Sequence, residues 1–284
     1  MQLTGKTQVL GIFGDPIQHS LSPRMQNAAI QAGNLDAVYV PFRVTREQLC
    51  DAVRGIRAMG IRGVNLTIPH KEAACDLIDE LDEQAQLTGA INTIVNDDGR
   101  LKGYNTDGQG LLKALKHELG IEVSGRRIML LGAGGACRAA LVALSQSGAA
   151  WIGIANRTRE RAEALIAELA EHFKGTTLAS FSLSASLAGC CPEPVDLLVN
   201  TSAVGLKGEA FDFPATGCVR PGGSVYDMVY AAEPTPLVRD ALQAGFAAAD
   251  GLGMLAGQGE IAFQLWFDKA PQKQVMRQTL ELKS

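Results

Sequence analysis

No stretch of this 284-residue chain stays strongly apolar for more than about ten residues, where a helix crossing a bilayer needs roughly 20. Its first residues, Met1 to Gln8, lack the basic region and apolar run of a leader peptide, so a cytoplasmic protein without a membrane partner is expected. Charge is scarce as well. With 26 Lys+Arg against 30 Asp+Glu the formal charge is -4, which offers no field for a nucleic-acid backbone or an anionic surface. The cysteines, at 50, 75, 137, 190, 191 and 218, contain no C-x-x-C, and Cys190 and Cys191 are neighbours that cannot bridge easily, so reduced thiols are expected. His19, His70, His117 and His172 are scattered without H-E-x-x-H or paired Cys/His spacing, and no metal is expected. No internal repeat of fixed period is visible, and the Ala/Ser stretch from Ala179 to Ala188 is too brief for low complexity.

What is present is an ordinary globular composition, 46% hydrophobic and 20% charged, in a chain long enough for one large domain or two modest ones. Short runs of Val, Ile and Leu alternate with segments of helical period, the pattern of a parallel sheet covered by helices, and the class is α/β. Strands are expected at Gln8 to Phe13, Ala37 to Val44 and Gly63 to Ile68, with helices at Pro23 to Ala32 and Arg46 to Met59 between them. A helix near Lys71 to Leu81 follows. Ile91 to Val95 and Leu101 to Tyr104 flank Asp98-Gly99, a dipeptide suited to a tight hairpin turn.

A second series opens after a helix at Gly110 to Leu119, with strands at Arg127 to Leu131, Trp151 to Ala155, Leu178 to Ser182, Val195 to Asn200 and Ser224 to Met228. Two α/β units therefore stand in tandem, with a ligand site expected in a cleft between them and Asn105 to Gly110 as a hinge. From Gly253 onward two helices broken at Pro271 are expected, packing back on the first unit.

The segment Arg127 to Ala140 runs from a buried-strand pattern through Gly132-Ala133-Gly134-Gly135-Ala136 into an alanine-rich helix. Gly132 permits a tight turn, Gly134 lets backbone approach a pyrophosphate, and the helix start attracts its charge. Cys137 stands where the third glycine of G-x-G-x-x-G would be, so the loop alone also fits a purely structural turn. At the end of the next strand, where a dinucleotide fold places an acid for the ribose, the chain has Asn156-Arg157-Thr158. Arg157, with Arg161 one turn on, can clamp a 2'-phosphate, which favours NADP over NAD; the competing reading is a solvated helix face with Glu160 and Glu163.

In the first unit, Gly14-Asp15-Pro16-Ile17-Gln18-His19-Ser20-Leu21-Ser22-Pro23 offers two hydroxyls at alternate positions before a helix, with Ser22 also readable as a simple N-cap. Asn65-Leu66-Thr67-Ile68-Pro69-His70-Lys71 puts Asn and Thr on one side of a pleat and a lysine just beyond. Gly89-Ala90-Ile91-Asn92-Thr93, Asn105-Thr106-Asp107-Gly108-Gln109-Gly110, the glycine loop, Asn156-Arg157-Thr158 and Asp250-Gly251-Leu252-Gly253-Met254-Leu255-Ala256-Gly257-Gln258 complete an ordered set. Together these segments, spanning nearly the whole chain, resemble the shikimate dehydrogenase family.

The resemblance implies a substrate-binding domain of residues 1–106 plus 253–284 and an NADP-binding Rossmann domain of residues 107–252. It implies Lys71 and Asp107 as the catalytic pair, and Ser20, Ser22, Thr67, Asn92, Tyr230 and Gln258 as ligands of shikimate or 3-dehydroshikimate. Gly132, Ala133, Gly134, Gly135, Ala136, Asn156, Arg157, Thr158 and Arg161 would hold NADP, with Thr201, Ser202, Met228 and Gly251 lining the nicotinamide. A monomer or homodimer is expected. The sequence departs from the family pattern at Gln26, where a histidine is common, at Leu206 and Ala231-Ala232-Glu233-Pro234, and at Gly259-Glu260 after Gln258. A paralogue acting on quinate or a related hydroxy acid, or using NAD, is the first alternative. A ligand sensor without turnover is the second, and the presence of both Lys71 and Asp107 speaks for an enzyme.

Overall fold

The computed structural model of the chain describes residues 3–183, 187 and 191–281, so Cys190 and part of the Ala/Ser stretch lie outside the described residues. It divides into two compact units, residues 1–110 with 255–284, and residues 111–254.

The first unit opens with the expected β-α-β-α-β succession: β1 (Gln8–Gly14), α1 (Ser22–Ala32), β2 (Ala37–Arg43), α2 (Leu49–Ala58) and β3 (Gly63–Leu66). Next come β4 (Glu80–Leu81), α3 (Glu83–Thr88), β5 (Thr93–Asp97) and β6 (Arg100–Tyr104). The sheet order is β2-β1-β3-β5-β6-β4. Its first three strands run parallel, while β5 is antiparallel to both β3 and β6, so the sheet is mixed. Asp98 and Gly99 both take positive φ, 47° and 92°, at the β5–β6 turn.

No long helix forms over Lys71 to Leu81; the segment holds a single 3-10 turn at Cys75–Leu77 before β4. Its backbone is engaged elsewhere. The Lys71 carbonyl accepts from Ile91 N at 2.8 Å and Asp79 N donates to Leu101 O at 3.0 Å, bonds that draw both ends out of an α-helical ladder.

The next helix, α4 (Asp107–Leu119), starts three residues before the expected Gly110. Asp107 to Gly110 is thus its first turn, in place of the loop expected as a hinge, because Gly110 N bonds Thr106 O at 2.9 Å and the Asn105 side chain accepts from Asp107 N at 3.1 Å. The second unit continues with β7 (Arg127–Leu131), α5 (Gly135–Gln146), β8 (Trp151–Asn156), α6 (Arg159–Leu169), β9 (Thr177–Ser182), β10 (Val195–Asn200), β11 (Val219–Asp227), α7 (Pro236–Gln243) and β12 (Ala247–Ala249). This sheet is wholly parallel in the order β12-β11-β10-β7-β8-β9, a doubly wound arrangement. Central strands β7 and β10 are buried along almost their whole length, which is why their apolar runs mark their limits so well.

The chain ends with α8 (Leu252–Phe267) and α9 (Val275–Glu281). Trp266 of α8 is 2% exposed and its indole N–H donates to Ile94 O at 3.0 Å on the first sheet. A Cβ on Gly63 would run into that indole, so β3 opens with the one residue that admits it. α9 packs along α1, as expected of the terminal helices, and Gln272 Nε2 donates to Ala32 O at 2.6 Å.

Candidate active site

In the first unit the candidate residues cluster where β1, β3 and β5 meet the starts of α1 and α4. Lys71 Nζ donates to Asp107 Oδ2 at 2.6 Å, and Asn92 Nδ2 donates to Asp107 Oδ1 at 2.8 Å. The same amide nitrogen lies 2.9 Å from Thr106 Oγ1 and 3.5 Å from Gln258 Oε1. Asn92 Oδ1 accepts from Thr106 N at 2.9 Å and from Thr93 Oγ1 at 3.1 Å, so the orientation of its amide is set by Asp107, Thr106, Gln258 and Thr93. Lys71 is about a third exposed on its side chain and Asp107 about a seventh, so the pair is open to a ligand at one end only.

Behind this pair runs a buried polar chain. Asn65 Nδ2 donates to Thr93 Oγ1 at 3.0 Å, Tyr39 Oη donates to Asn65 Oδ1 at 2.8 Å, and Ser22 hydrogen-bonds the Tyr39 hydroxyl. Burial pushes the Tyr39 hydroxyl well above the usual tyrosine range, with the Ser22 bond acting weakly the other way, so it stays a neutral donor. Ser22 occupies the first turn of α1, with Leu21 at the cap position and no side-chain capping bond. Its hydroxyl is therefore not used as the N-cap that one sequence reading allowed. Ser20 Oγ accepts from Ser22 N at 3.3 Å, and Thr67 is half-buried beside Gly14.

Tyr39 escaped the sequence reading, and Asn65, Thr93 and Thr106 entered it only as parts of motifs. Their roles come from hydrogen-bond partners 14 to 28 residues away, which no local pattern reports. Tyr230 belongs to the second unit, apart from the other residues assigned to substrate.

In the second unit the glycine loop has the shape its sequence implies. Gly132 takes φ +108° and its backbone lies against Ser202, where a Cβ would come within 3.1 Å of the serine Cβ. Gly134 is the cap residue of α5 with no side chain capping that helix, Gly134 to Ala136 are exposed, and a Cβ at Gly134 would meet nothing within 4 Å. The start of a twelve-residue helix is thus exposed and uncapped, which suits a pyrophosphate. Cys137, in the third-glycine place, is fully buried and hydrogen-bonds Thr201; burial pushes its thiol up to about 12, so it is a packing residue.

Thr201 itself donates to Leu131 O at 2.8 Å, which fixes it beside the loop. Asn156 Nδ2 donates to Thr158 O at 2.7 Å and shapes the turn after β8. Glu163 pairs with Arg159 at 2.9 Å, and Arg157 and Arg161 are exposed with no acid paired to either among the described residues. The donor set of cap amides plus two unpaired guanidinium groups, with no carboxylate at the end of β8, fits a dinucleotide carrying an extra phosphate. Gly251 N bonds Val229 O at 3.1 Å, and a Cβ on Gly251 would strike the Met228 carbonyl, so Met228, Tyr230 and Gly251 form one tight turn region.

Among the described residues no group of three or more His, Cys, Asp or Glu could hold a metal, no helix is long and apolar enough to cross a membrane, and Cys50, Cys75, Cys137, Cys191 and Cys218 are free thiols.

Three family models match the chain: the shikimate dehydrogenase substrate binding domain over residues 12–94, shikimate / quinate 5-dehydrogenase over residues 113–187, and the shikimate 5'-dehydrogenase C-terminal domain over residues 251–281. Among curated relatives, the shikimate dehydrogenase (NADP(+)) of Geobacter sulfurreducens is 48% identical over 99% of this chain and 98% of its own. Among solved structures, the shikimate 5-dehydrogenase of Thermus thermophilus in complex with NADP(H) and shikimate is 35% identical, with a TM-score of 0.84 over 96% of this chain and 98% of that one. The ligand-free 5-ketofructose reductase of a Gluconobacter strain is also 35% identical, with a TM-score of 0.89 over 98% and 99% of the two chains.

Proposed function

The chain belongs to the shikimate dehydrogenase family, and from that membership we propose that it catalyses the reversible, NADP-dependent reduction of 3-dehydroshikimate to shikimate. The observation that carries the reading is the Lys71–Asp107 pair, bonded at 2.6 Å and locked to Asn92, in a chain whose second unit keeps an open phosphate loop.

NADPH, when bound, supplies the hydride that reduces the substrate carbonyl carbon. The carbonyl oxygen then needs a proton, and Lys71 is the group built to give it. Its ammonium has three N–H donors, of which Asp107 takes one, leaving others for the oxygen. In the reverse direction the lysine takes up the hydroxyl proton. Asp107, with one oxygen on Lys71 and the other on Asn92, holds the lysine in place for this proton transfer.

Ser20 and Ser22 present hydroxyls to the substrate carboxylate, while Thr67, Asn92 and Gln258 take the ring hydroxyls and Tyr230 contributes from its own loop. On the cofactor, Gly132 to Ala136 receive the pyrophosphate, Asn156, Arg157, Thr158 and Arg161 the adenosine 2'-phosphate end, and Thr201, Met228 and Gly251 the nicotinamide. We place this reaction in the cytoplasm.

The test is steady-state oxidation of shikimate, with quinate and the reduction of 5-ketofructose assayed alongside, using NADP and NAD in turn. Shikimate with NADP should give the highest kcat/KM. No turnover at saturating shikimate and alkaline pH would sink the enzyme reading, and a higher kcat/KM for another substrate would move the chain to a different activity within the family.

A further inference from the structure

Helices α1 and α8 each carry a residue assigned above to substrate, Ser22 and Gln258. Gln26 stands one helical turn beyond Ser22, on the same face of α1. It is 1% exposed, and its Nε2 donates to the backbone carbonyl of Gly259 at 3.0 Å. Its Oε1 has no partner among the described residues, so this bond to α8 is the one hydrogen bond the buried amide makes. A buried amide is rarely left so sparsely paired, and the bond it keeps falls on the residue after Gln258.

The Gln258 carbonyl is itself held from the other side, by Thr106 Oγ1 at 3.3 Å. Two consecutive carbonyls of one turn of α8 are thus gripped by side chains from outside the helix. One gripping residue shares a helix face with Ser22, and the other precedes Asp107 and bonds Asn92. A Cβ on Gly259 would meet the Met25 methyl and come within 3.3 Å of Gln26 Nε2, so the side chains of α1 pack directly against the backbone of α8 at this turn.

We propose that Gln26 is a positioning residue for substrate: its bond to Gly259 sets the spacing between Ser22 and Gln258 and so the fit of the ring between them. The proposal rests on the functional reading above. Gln26→Met keeps the length and removes the donor, while Gln26→His restores an N–H of similar reach.

Kinetics of shikimate oxidation and thermal unfolding are measured for both variants. Gln26→Met should raise KM for shikimate about tenfold, with kcat within about threefold and KM for NADP unmoved, and Gln26→His should recover most of the loss. A residue that only packs the helices would lower the unfolding temperature and leave that KM in place. KM for shikimate within about twofold of wild type in Gln26→Met, or an equal rise in KM for both substrates, overturns the proposal. Should Gln26→Met fail to fold, Gly259→Ala is read instead: the Met25 methyl can move aside, but the added Cβ would lie 3.3 Å from Gln26 Nε2 and disturb its bond, which should raise the same KM alone, an unmoved value counting against the proposal. Inactive wild-type protein would take down the functional reading as well, whereas active protein with an unmoved KM takes down only the role of Gln26.

Discussion

The polar residues around Lys71 in the first unit are tied to one another, and those proposed to hold the cofactor in the second are left open. Lys71, Asp107, Asn92, Thr106, Thr93, Asn65 and Tyr39 form one continuous hydrogen-bonded network, and most of them are buried. Around Gly134 and Arg157, by contrast, the residues are exposed, no side chain caps α5, and no acid pairs with Arg157 or Arg161 among the described residues. A network aligned in advance spends no reorganisation when a hydroxylated ring arrives, whereas a phosphate group brings its own charge to exposed donors. Buried acids differ in the same way. Asp107 has a lysine, while Asp227 is fully buried with only uncharged donors, Asn200 Nδ2 at 2.8 Å, Thr235 Oγ1 at 2.6 Å and Val229 N at 3.0 Å.

The largest break in this contrast comes from Lys71 and Asp107, the pair proposed above as catalytic. Lys71→Ala should lower kcat by at least about 100-fold while the partly exposed site leaves thermal unfolding nearly unchanged. Asp107→Ala should cost as much in kcat and also lower stability, because Asn92 loses an acceptor inside the network. Normal kcat with raised KM would make either residue a binding group only.

Next in size is the open side. Arg157→Ala should weaken NADP about 10- to 150-fold and hardly touch NAD, with a smaller effect for Arg161→Ala, as read by fluorescence titration of each nucleotide. Equal weakening of both nucleotides would show the arginines to be a solvated face.

The glycine loop sharpens the comparison within a single turn. Gly132→Ala should cost about 1–3 kcal/mol in urea unfolding, since its positive φ strains any side chain and Ser202 crowds it. Gly134→Ala sits at ordinary φ with open space around it, so it should fold normally yet weaken NADP. Loss of stability at Gly134 as large as at Gly132 would mean the loop is structural throughout.

The smallest effect concerns pH. Burial holds the Asp227 carboxyl above the usual aspartate range, with the nearby Asp250 charge acting the same way. On acidification the folded state therefore binds this proton before the unfolded state does. The group's stabilising contribution is fully present below the ordinary aspartate value, about 3.9, and is lost as pH rises through the raised folded value. Asp227→Asn should remove that component, so the variant's stability relative to wild type should rise as pH increases through this window. A difference independent of pH in urea titrations would show that Asp227 titrates normally.

How far the sequence could be read follows from what each signal depends on. The buried runs Arg127–Leu131 and Val195–Asn200 coincide with their strands because a strand buried on both faces is apolar along its length. Lys71 to Leu81 has helical composition, yet bonds to Ile91 and Leu101 take its backbone elsewhere. Asp107 to Gly110 reads as a loop from its glycines and becomes a helical turn because Asn105 receives its first amide.

The order of chemical groups was legible in the sequence alone: a glycine loop after a buried strand, arginines rather than a carboxylate at the end of the next strand, and a lysine and an aspartate in motifs of one family. These are local, since strand, turn and helix start lie within a few residues of one another. Only the tertiary structure decided that Asn92 would be held by Asp107, Thr106, Gln258 and Thr93, that Tyr39 and Asn65 would stand behind the pair, and that Gln26 would reach a carbonyl 233 residues away. Hydrogen bonds between distant side chains leave no periodicity in the chain, so they exist only once packing has brought their elements together.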